Sequence, residues 1–414
     1  MEIKEGGSVQ FNQPQQSSLA KQALNDIASL LAKDAKQSIE QQGVGLLTGL
    51  AGQQLFFWQL HKQFPELASQ HEFSARMTLI EEQIPFLHSQ LAFGYGLTGV
   101  AWLYECFLHE GNYQAEFNHN TDVLLLQHLQ QSDWTGELEF IRGLSGFAVY
   151  IARRQTAELG LPLAQALLTR LEQQWHQFAD GTGSWGVATN SFFRFNHATD
   201  DSEFNLGLAH GVPSIIASLL PLLAHQQLHS QIKTLLQASC QWLIQQQQTS
   251  EKFGSCFAYI TEQPCQSRLG WCYGDATIAL TLLRVGNAIN RDDFTAAGKN
   301  IALKAAQRRL KSSQVQDAGI CHGSAGLALI FQVITRYYTE SSLTQAAQYW
   351  FEHTLALYQT SGLDGFNAVR EQDNSTCRLP DHGLLGGYAG IGLVLLMAYD
   401  VETNWLDALL LTNS

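Results

Sequence analysis

A pair of small residues three positions apart, followed by an apolar run, recurs seven times along this chain. The copies are GLAG (49–52), GLTG (96–99), GLSG (143–146), GVPS (211–214), GDAT (274–277), GSAG (323–326) and GYAG (387–390). Successive copies are 47, 47, 68, 63, 49 and 64 residues apart. Self-similarity on this scale marks a repeat architecture, because one such unit cannot bury its apolar face alone and must stack on its neighbours. Each repeat reads as two helices. The stretches before the pairs, such as SLAKQALNDIASLLAKDAK (18–36), LAQALLTRLEQQWHQFA (163–179) and SQIKTLLQASCQWLIQQ (230–246), carry one apolar stripe and suit an outer helix. The stretches after them, such as VAWLYECFL (100–108) and LALIFQVITRYY (327–338), are apolar on nearly every side and suit a buried one. The expected fold is all-α, an α/α toroid in which about seven inner helices are ringed by seven outer ones. An open solenoid would need polar caps at both ends, and the last repeat is the most apolar of all. The glycines fit a crowded centre, where a missing Cβ permits close approach and a positive φ at the helix entry.

Composition narrows the function classes. The formal net charge of −13 argues against nucleic acid or an anionic membrane as the main partner. Eight prolines in 414 residues disfavour many short strands. The seven cysteines, at 106, 240, 256, 265, 272, 321 and 377, are odd in number and show no disulfide framework, which reads as a reducing compartment. MEIKEGGSVQFNQPQQSS has no apolar core and so does not read as a signal peptide. GLLGGYAGIGLVLLMAY (383–399) is 17 residues with five glycines, short for a membrane span and better read as a buried helix. Residues 1–17 are expected to be a flexible N-terminal segment and 18–414 a single toroid domain.

Extra residues precede repeats 4, 5 and 7, at 178–205, 247–268 and 360–382, all leading into the motif end, where long loops commonly build a site. Numbering back from the first residue of each pair, Cys272 and Cys321 both stand at −2, His210, Tyr273 and His322 at −1, and Glu139 at −4. Repeats 5 and 6 are neighbours, so the two thiols would face each other across one helix gap. Two thiolates and an imidazole suit tetrahedral zinc, and three protein ligands leave a fourth position open, as in catalytic sites. Ligand softness favours zinc over magnesium or calcium, and helix N-termini stabilise thiolates. Taken singly, each cysteine reads equally as a buried core thiol. The shared register is what joins them.

GLAHG (207–211), WCYG (271–274) and CHGSAG (321–326), together with the sevenfold ladder, resemble the lanthionine synthetase C-like cyclase family, from about Gly45 to Tyr399. The resemblance implies an α/α toroid with zinc at its centre. It implies addition of a peptide cysteine thiol to dehydroalanine or dehydrobutyrine, closing a thioether ring, although some relatives use glutathione as the thiol. Position by position, Cys272, Cys321 and His322 match the zinc ligands, His210 the acid/base histidine and Arg268 a site arginine, while Glu139 stands where the family often has aspartate. The chain departs from the family in that longer carboxylate, in WCYGDAT where Pro-Gly is usual, and in Ser214 at the end of the fourth pair. The spacing of repeats 1 to 3 is too tight for the inserted domain of some members.

The chemistry is consistent with this. A free cysteine has a pKa of about 8.5, so little of it is thiolate near neutrality, and zinc coordination removes the proton. Attack on the dehydro residue yields an enolate that needs positive charge or donors and then a proton on Cα. His210 is the candidate donor, and Arg268 would stabilise the enolate or hold His210. The expectation is a stand-alone, cytoplasmic cyclase carrying one zinc per chain and acting on a dehydrated precursor peptide. A separate dehydratase would supply that peptide, an exporter complex is a possible further partner, and no nucleic acid or membrane insertion is involved. The rival readings are a relative adding glutathione or another small thiol, a non-catalytic zinc-stabilised peptide-binding scaffold, and an α/α-barrel glycosidase. A glycosidase needs two facing carboxylates, for which the register offers only Glu139 and Asp275.

Overall fold

The structure is a computed structural model that describes residues 14–33, 35–108, 116–187, 191, 194–195, 203–372, 375–399 and 403–412. Of the N-terminal segment expected to be flexible, residues 1–13 lie outside the described residues, and 14–17 form the first turn of the helix Pro14–Lys33. Parts of the insertions before repeats 4 and 7 also lie outside them, at 188–190, 192–193, 196–202 and 373–374.

Helix entry follows the motif throughout. Helices begin at Leu50, Leu97, Leu144, Val212, Asp275, Ser324 and Tyr388, in each case the residue after the first member of the pair. In six repeats the backbone N–H of that residue bonds the carbonyl at −6, from Leu50 to Gly43, Leu97 to Gln90, Leu144 to Glu137, Val212 to Asn205, Ser324 to Asp317 and Tyr388 to Asp381. The chain thus folds a tight loop back under its own helix. This supplies the main reason for the glycines. A Cβ on Gly326 would run into the carbonyl of Ile320, and one on Gly390 into that of Leu384. Crowding by the neighbouring repeat, the expected cause, comes second: a Cβ on Gly52 would lie 3.0 Å from that of Leu384. Positive φ is needed only in repeat 5, where Gly274 has φ 113°. This is the repeat whose motif reads WCYGDAT. Ser214 is accommodated because its hydroxyl donates to the Gly211 carbonyl at 2.8 Å.

The chain divides into two compact units. The first comprises Met1–Ser89, Arg268–Trp271 and Ala306–Thr403. In it the inner helix Tyr388–Leu396 packs against Leu50–Gln63 and Ser324–Tyr337, and is buried on every side. The outer helices are Pro14–Lys33, Gln70–Gln83 and Ser341–Ser361. Ser341–Ser361 buries Leu343, Ala346, Ala347, Trp350, Phe351 and further residues at spacings of three and four, one apolar stripe as the sequence predicts. Gln70–Gln83 opens on a reciprocal capping box between Ser69 and Glu72.

The second unit comprises Gln90–Ser267, Cys272–Ala305 and Asn404–Ser414. Its inner helices pack in sequence order: Leu97–Leu108 on Leu144–Arg153, that on Val212–Leu219, and that on Asp275–Ile289. The outer helices are His119–Leu129, Gly160–Gln173, His229–Gln245 and Asp292–Ala306. Buried charge joins the layers, since Arg154 pairs with Glu105 at 2.8 Å and with Asp122 at 2.7 Å. The chain end is pinned as well. Asp407 accepts from Arg153 Nε at 2.6 Å and Trp102 Nε1 at 3.2 Å, while Arg284 donates to the carbonyls of Leu410 and Thr412.

Among the described residues two antiparallel hairpins interrupt the helical pattern. Trp175–Gln177 pairs with Gly183–Trp185 ahead of repeat 4, and Ala368–Gln372 pairs with Ser375–Leu379 ahead of repeat 7. The second region reads as a loop in the sequence, but 163–179 reads as one outer helix: that helix ends at Gln173, and the chain turns into the strand Trp175–Gln177, where Trp175 packs edge-on against Trp185.

A ladder of main-chain hydrogen bonds links successive repeats just before each motif. In the second unit it runs from Gly94 N to the Ile141 carbonyl (2.8 Å), Phe140 N to Ala209 (3.1 Å) and Ala209 N to Cys272 (3.2 Å). In the first it runs from Trp271 N to Cys321 (2.8 Å), Cys321 N to Leu385 (2.8 Å) and Leu385 N to Leu47 (3.0 Å). Every accepting carbonyl belongs to a −2 residue.

Candidate active site

The ladder fixes where the functional side chains start. Cys272 and Cys321 each stand at a rung, and each carbonyl is held by the preceding repeat. The −4 residue of one repeat lies against the −2 and −1 residues of the next, which accounts for the small residues there: a Cβ on Gly270 would meet the Cys321 carbonyl and His322 Cα at 3.1 Å.

Cys272, Cys321 and His322 offer donor atoms that all lie within 4.8 Å of one another. Cys272 is buried, and Cys321 and His322 are half-buried. Two sulfurs and an imidazole are a donor set that could hold a soft metal ion. His322 adds an independent sign of fit. Its Nδ1 is buried and has no hydrogen-bond partner among the described residues, an unsatisfied polar atom that a metal ion would satisfy. Its Nε2 lies 3.7 Å from Oδ2 of Asp317.

The second group is an acid–base pair. His210 Nδ1 donates to Oε2 of Glu139 at 2.9 Å. Glu139 is buried and also accepts the backbone N–H groups of Ile141 (2.8 Å) and Arg142. The His210 side chain is 20% exposed and is anchored through Nδ1. Its neighbour Ala209 donates to the Cys272 carbonyl, which sets the pair one residue from a sulfur donor. The pair lines an open cleft together with Glu137, Gln174, Trp185 and Ser191. Burial pushes the Glu137 carboxyl above the usual range, against the opposing hydrogen bond from Ser191, and the nearby Glu139 pushes it the same way.

The structure thus brings together the three expected ligands, and it brings Glu139 to His210. Arg268 sits half-buried at −6 in repeat 5. Asp275 is a loop anchor, accepting from the backbone of Cys256 and Phe257, which leaves little for a glycosidase reading. Tyr273 is a packing residue that also touches the site: its ring centre is 6.3 Å from that of His210, and its hydroxyl accepts from Asn205 Nδ2 at 2.9 Å. Burial holds that phenol well above its ordinary pKa. None of the seven cysteines is joined in a disulfide. Among the described residues no helix is long and apolar enough to cross a membrane. Sequence reasoning passed over Glu137 and Asp317, both at −6. The signal that could have found them was the register itself, since that position carries Gln, Glu, Asn, Arg or Asp in six of the seven repeats.

Comparison with known proteins agrees with this picture. A search of curated proteins returns no match. Among solved structures the chain is similar to one titled nisin cyclase, with a TM-score of 0.72 and 18% identity over 94% of this chain and 97% of the other. That likeness gives the fold, an all-α toroid, in agreement with the repeat count. Residues 40–410 match the family described as lanthionine synthetase C-like protein, a span slightly wider than the Gly45–Tyr399 resemblance read from the motifs. The chain therefore belongs to the lanthionine synthetase C-like family.

Proposed function

We propose that this protein is a zinc-dependent lanthipeptide cyclase that adds cysteine thiols of a dehydrated peptide to dehydroalanine or dehydrobutyrine. The observation that carries this reading is the convergence of Cys272, Cys321 and His322 from two neighbouring repeats. One zinc per chain would be held by Cys272 Sγ, Cys321 Sγ and His322. When bound, the metal would supply a substrate thiolate at neutral pH, where a free thiol is mostly protonated.

The remaining work falls to the chain's own side chains. Addition forms one C–S bond at Cβ, shifts the C=C pair onto the enolate and returns one proton to Cα. Glu139 keeps the His210 N–H on Nδ1, so Nε2 is the atom that holds and delivers the proton. Arg268 is the group assigned to the enolate charge or to the placement of His210. The cleft beside Glu139 would accept the flanking peptide and exclude water. The substrate reaches the enzyme already dehydrated, so a separate dehydratase acts first, in the cytoplasm, and an exporter acts afterwards. Residues 18–414 work as one catalytic domain in this reading.

The test is a dehydrated peptide containing one cysteine, incubated with purified protein. The expected product has unchanged mass, no free thiol and a thioether crosslink. The purified protein should contain about one zinc per chain, lost in Cys321→Ala, and His210→Ala should retain zinc while closing rings much more slowly. Ring closure untouched by His210→Ala would point to a scaffold instead. A product heavier by one glutathione, formed only when glutathione is added, would replace the intramolecular reading with the intermolecular one.

A further inference from the structure

The two nitrogens of His322 face different surroundings. Nδ1 is buried without a hydrogen-bond partner among the described residues, while Nε2 faces the carboxylate of Asp317 at 3.7 Å. A neutral imidazole has one N–H and one lone pair, and the partner of one nitrogen decides the role of the other. An ionised aspartate only accepts. The carboxylate lies beyond hydrogen-bond distance, and its charge favours the N–H on Nε2 and the lone pair on Nδ1.

Asp317 is itself rigidly placed. Its side chain is 3% exposed, Oδ1 accepts from Gly319 N at 3.1 Å, and Oδ2 accepts from Val369 N at 3.1 Å. Val369 lies in the strand Ala368–Gln372, so the hairpin ahead of repeat 7 holds the carboxylate that faces the histidine. The residue at −6 has a plain structural duty as well. Asn205 caps Gly207 N at 2.9 Å in repeat 4, and Asp381 caps Gly383 N at 2.8 Å in repeat 7. In repeat 7 the −1 residue is Gly386, so Asp381 has no ring at that position to orient, and its Oδ2 pairs with Arg370 instead.

We propose that Asp317 is a positioning residue for the metal site, holding the Nε2–H of His322 and so committing Nδ1 as the ligand atom. The proposal rests on the zinc reading given above. Ligand histidines depend on such a partner, and its loss commonly weakens metal binding 10–100-fold. The conservative variant Asp317→Asn keeps an oxygen for Gly319 N but withdraws the negative charge from the ring.

The experiment measures zinc affinity by competition with a chromogenic chelator, in the full chain, for wild type, Asp317→Asn and Asp381→Asn. Melting of the metal-free proteins is followed in parallel. The expected result is affinity weakened about 10–100-fold in Asp317→Asn and unchanged in Asp381→Asn. Equal affinity in all three, or an equal loss in both variants, would overturn the proposal and leave Asp317 a turn cap. NMR of nitrogen-labelled histidine in the zinc-loaded wild type reads the same point without any variant. A proton on Nε2 and metal on Nδ1 is expected, and the reverse arrangement overturns the proposal even if Asp317→Asn fails to fold. Absence of zinc from the wild type would remove the cyclase reading and this proposal together. Zinc bound equally by wild type and variant would remove this proposal alone.

Discussion

Glu139 does two things that a shorter acid would find hard to combine. It caps the turn through the N–H groups of Ile141 and Arg142, and it still reaches His210 at 2.9 Å. Glu139→Asp should therefore retain the fold but close rings more slowly, as a comparison of rate with melting temperature would show. Glu139→Gln keeps one acceptor oxygen for the His210 N–H but withdraws the negative charge beside it and leaves the N–H groups of Ile141 and Arg142 only one acceptor between them. Turnover should fall by about 10²-fold or more at unchanged zinc content. Glu137 tests the electrostatics separately. Burial raises its carboxyl pKa, so the folded state holds this proton more tightly than the unfolded state does. Its contribution to stability is fully present below the unfolded value, about 4.3, and is lost as pH rises through the folded value. Glu137→Gln should melt higher than wild type at pH 7, and the difference should shrink toward pH 4. At this scale the ligand trio was legible because all three residues fall on shared register positions. The partnership of Glu139 with His210 was only half legible, since it depends on the −4 residue of one repeat touching the −1 residue of the next. The register marks the polar −6 position of Asp317 and Glu137, but what a −6 side chain reaches follows from a turn geometry that the spacing does not encode.

Helices begin at the second residue of the motif in all seven repeats, so their starts were open to reading from the sequence. The entry loop beneath each of them was not, and it carries much of the cost of substitution. Gly326→Ala would push a methyl group into the main chain of Ile320, which cannot swing aside as a side chain can. It should destabilise by about 1–3 kcal/mol, read from the midpoint of urea unfolding. Ser69→Ala, which removes one half of a capping box, should cost about 1 kcal/mol in the same measurement. The hairpins escaped sequence reading for a different reason. Trp175–Gln177 and Ser375–Leu379 are short and mostly polar or exposed, and they lack an alternation that would mark a buried face. Their anchors are tertiary, as in the bond from Val369 N to Asp317.

For the whole molecule the repeat count predicted the architecture, but composition gave no hint of how the chain end is used. Asp407 joins the last residues of the chain to helices of repeats 2 and 3, and Arg284 joins them to repeat 5. Asp407→Ala would strand a nearly buried Arg153 and should cost about 3–5 kcal/mol, again by urea unfolding. The interlocking of successive repeats rests on main-chain atoms instead. Leu47, Gly94, Ile141, Ala209 and Leu385 occupy the same backbone address as Cys272 and Cys321, and the rungs there involve no side chain. What such an address displays can therefore drift with single codon changes while the scaffold stays standing. A lineage built this way is able to lose a reaction, or acquire a different one, without passing through an unfolded ancestor.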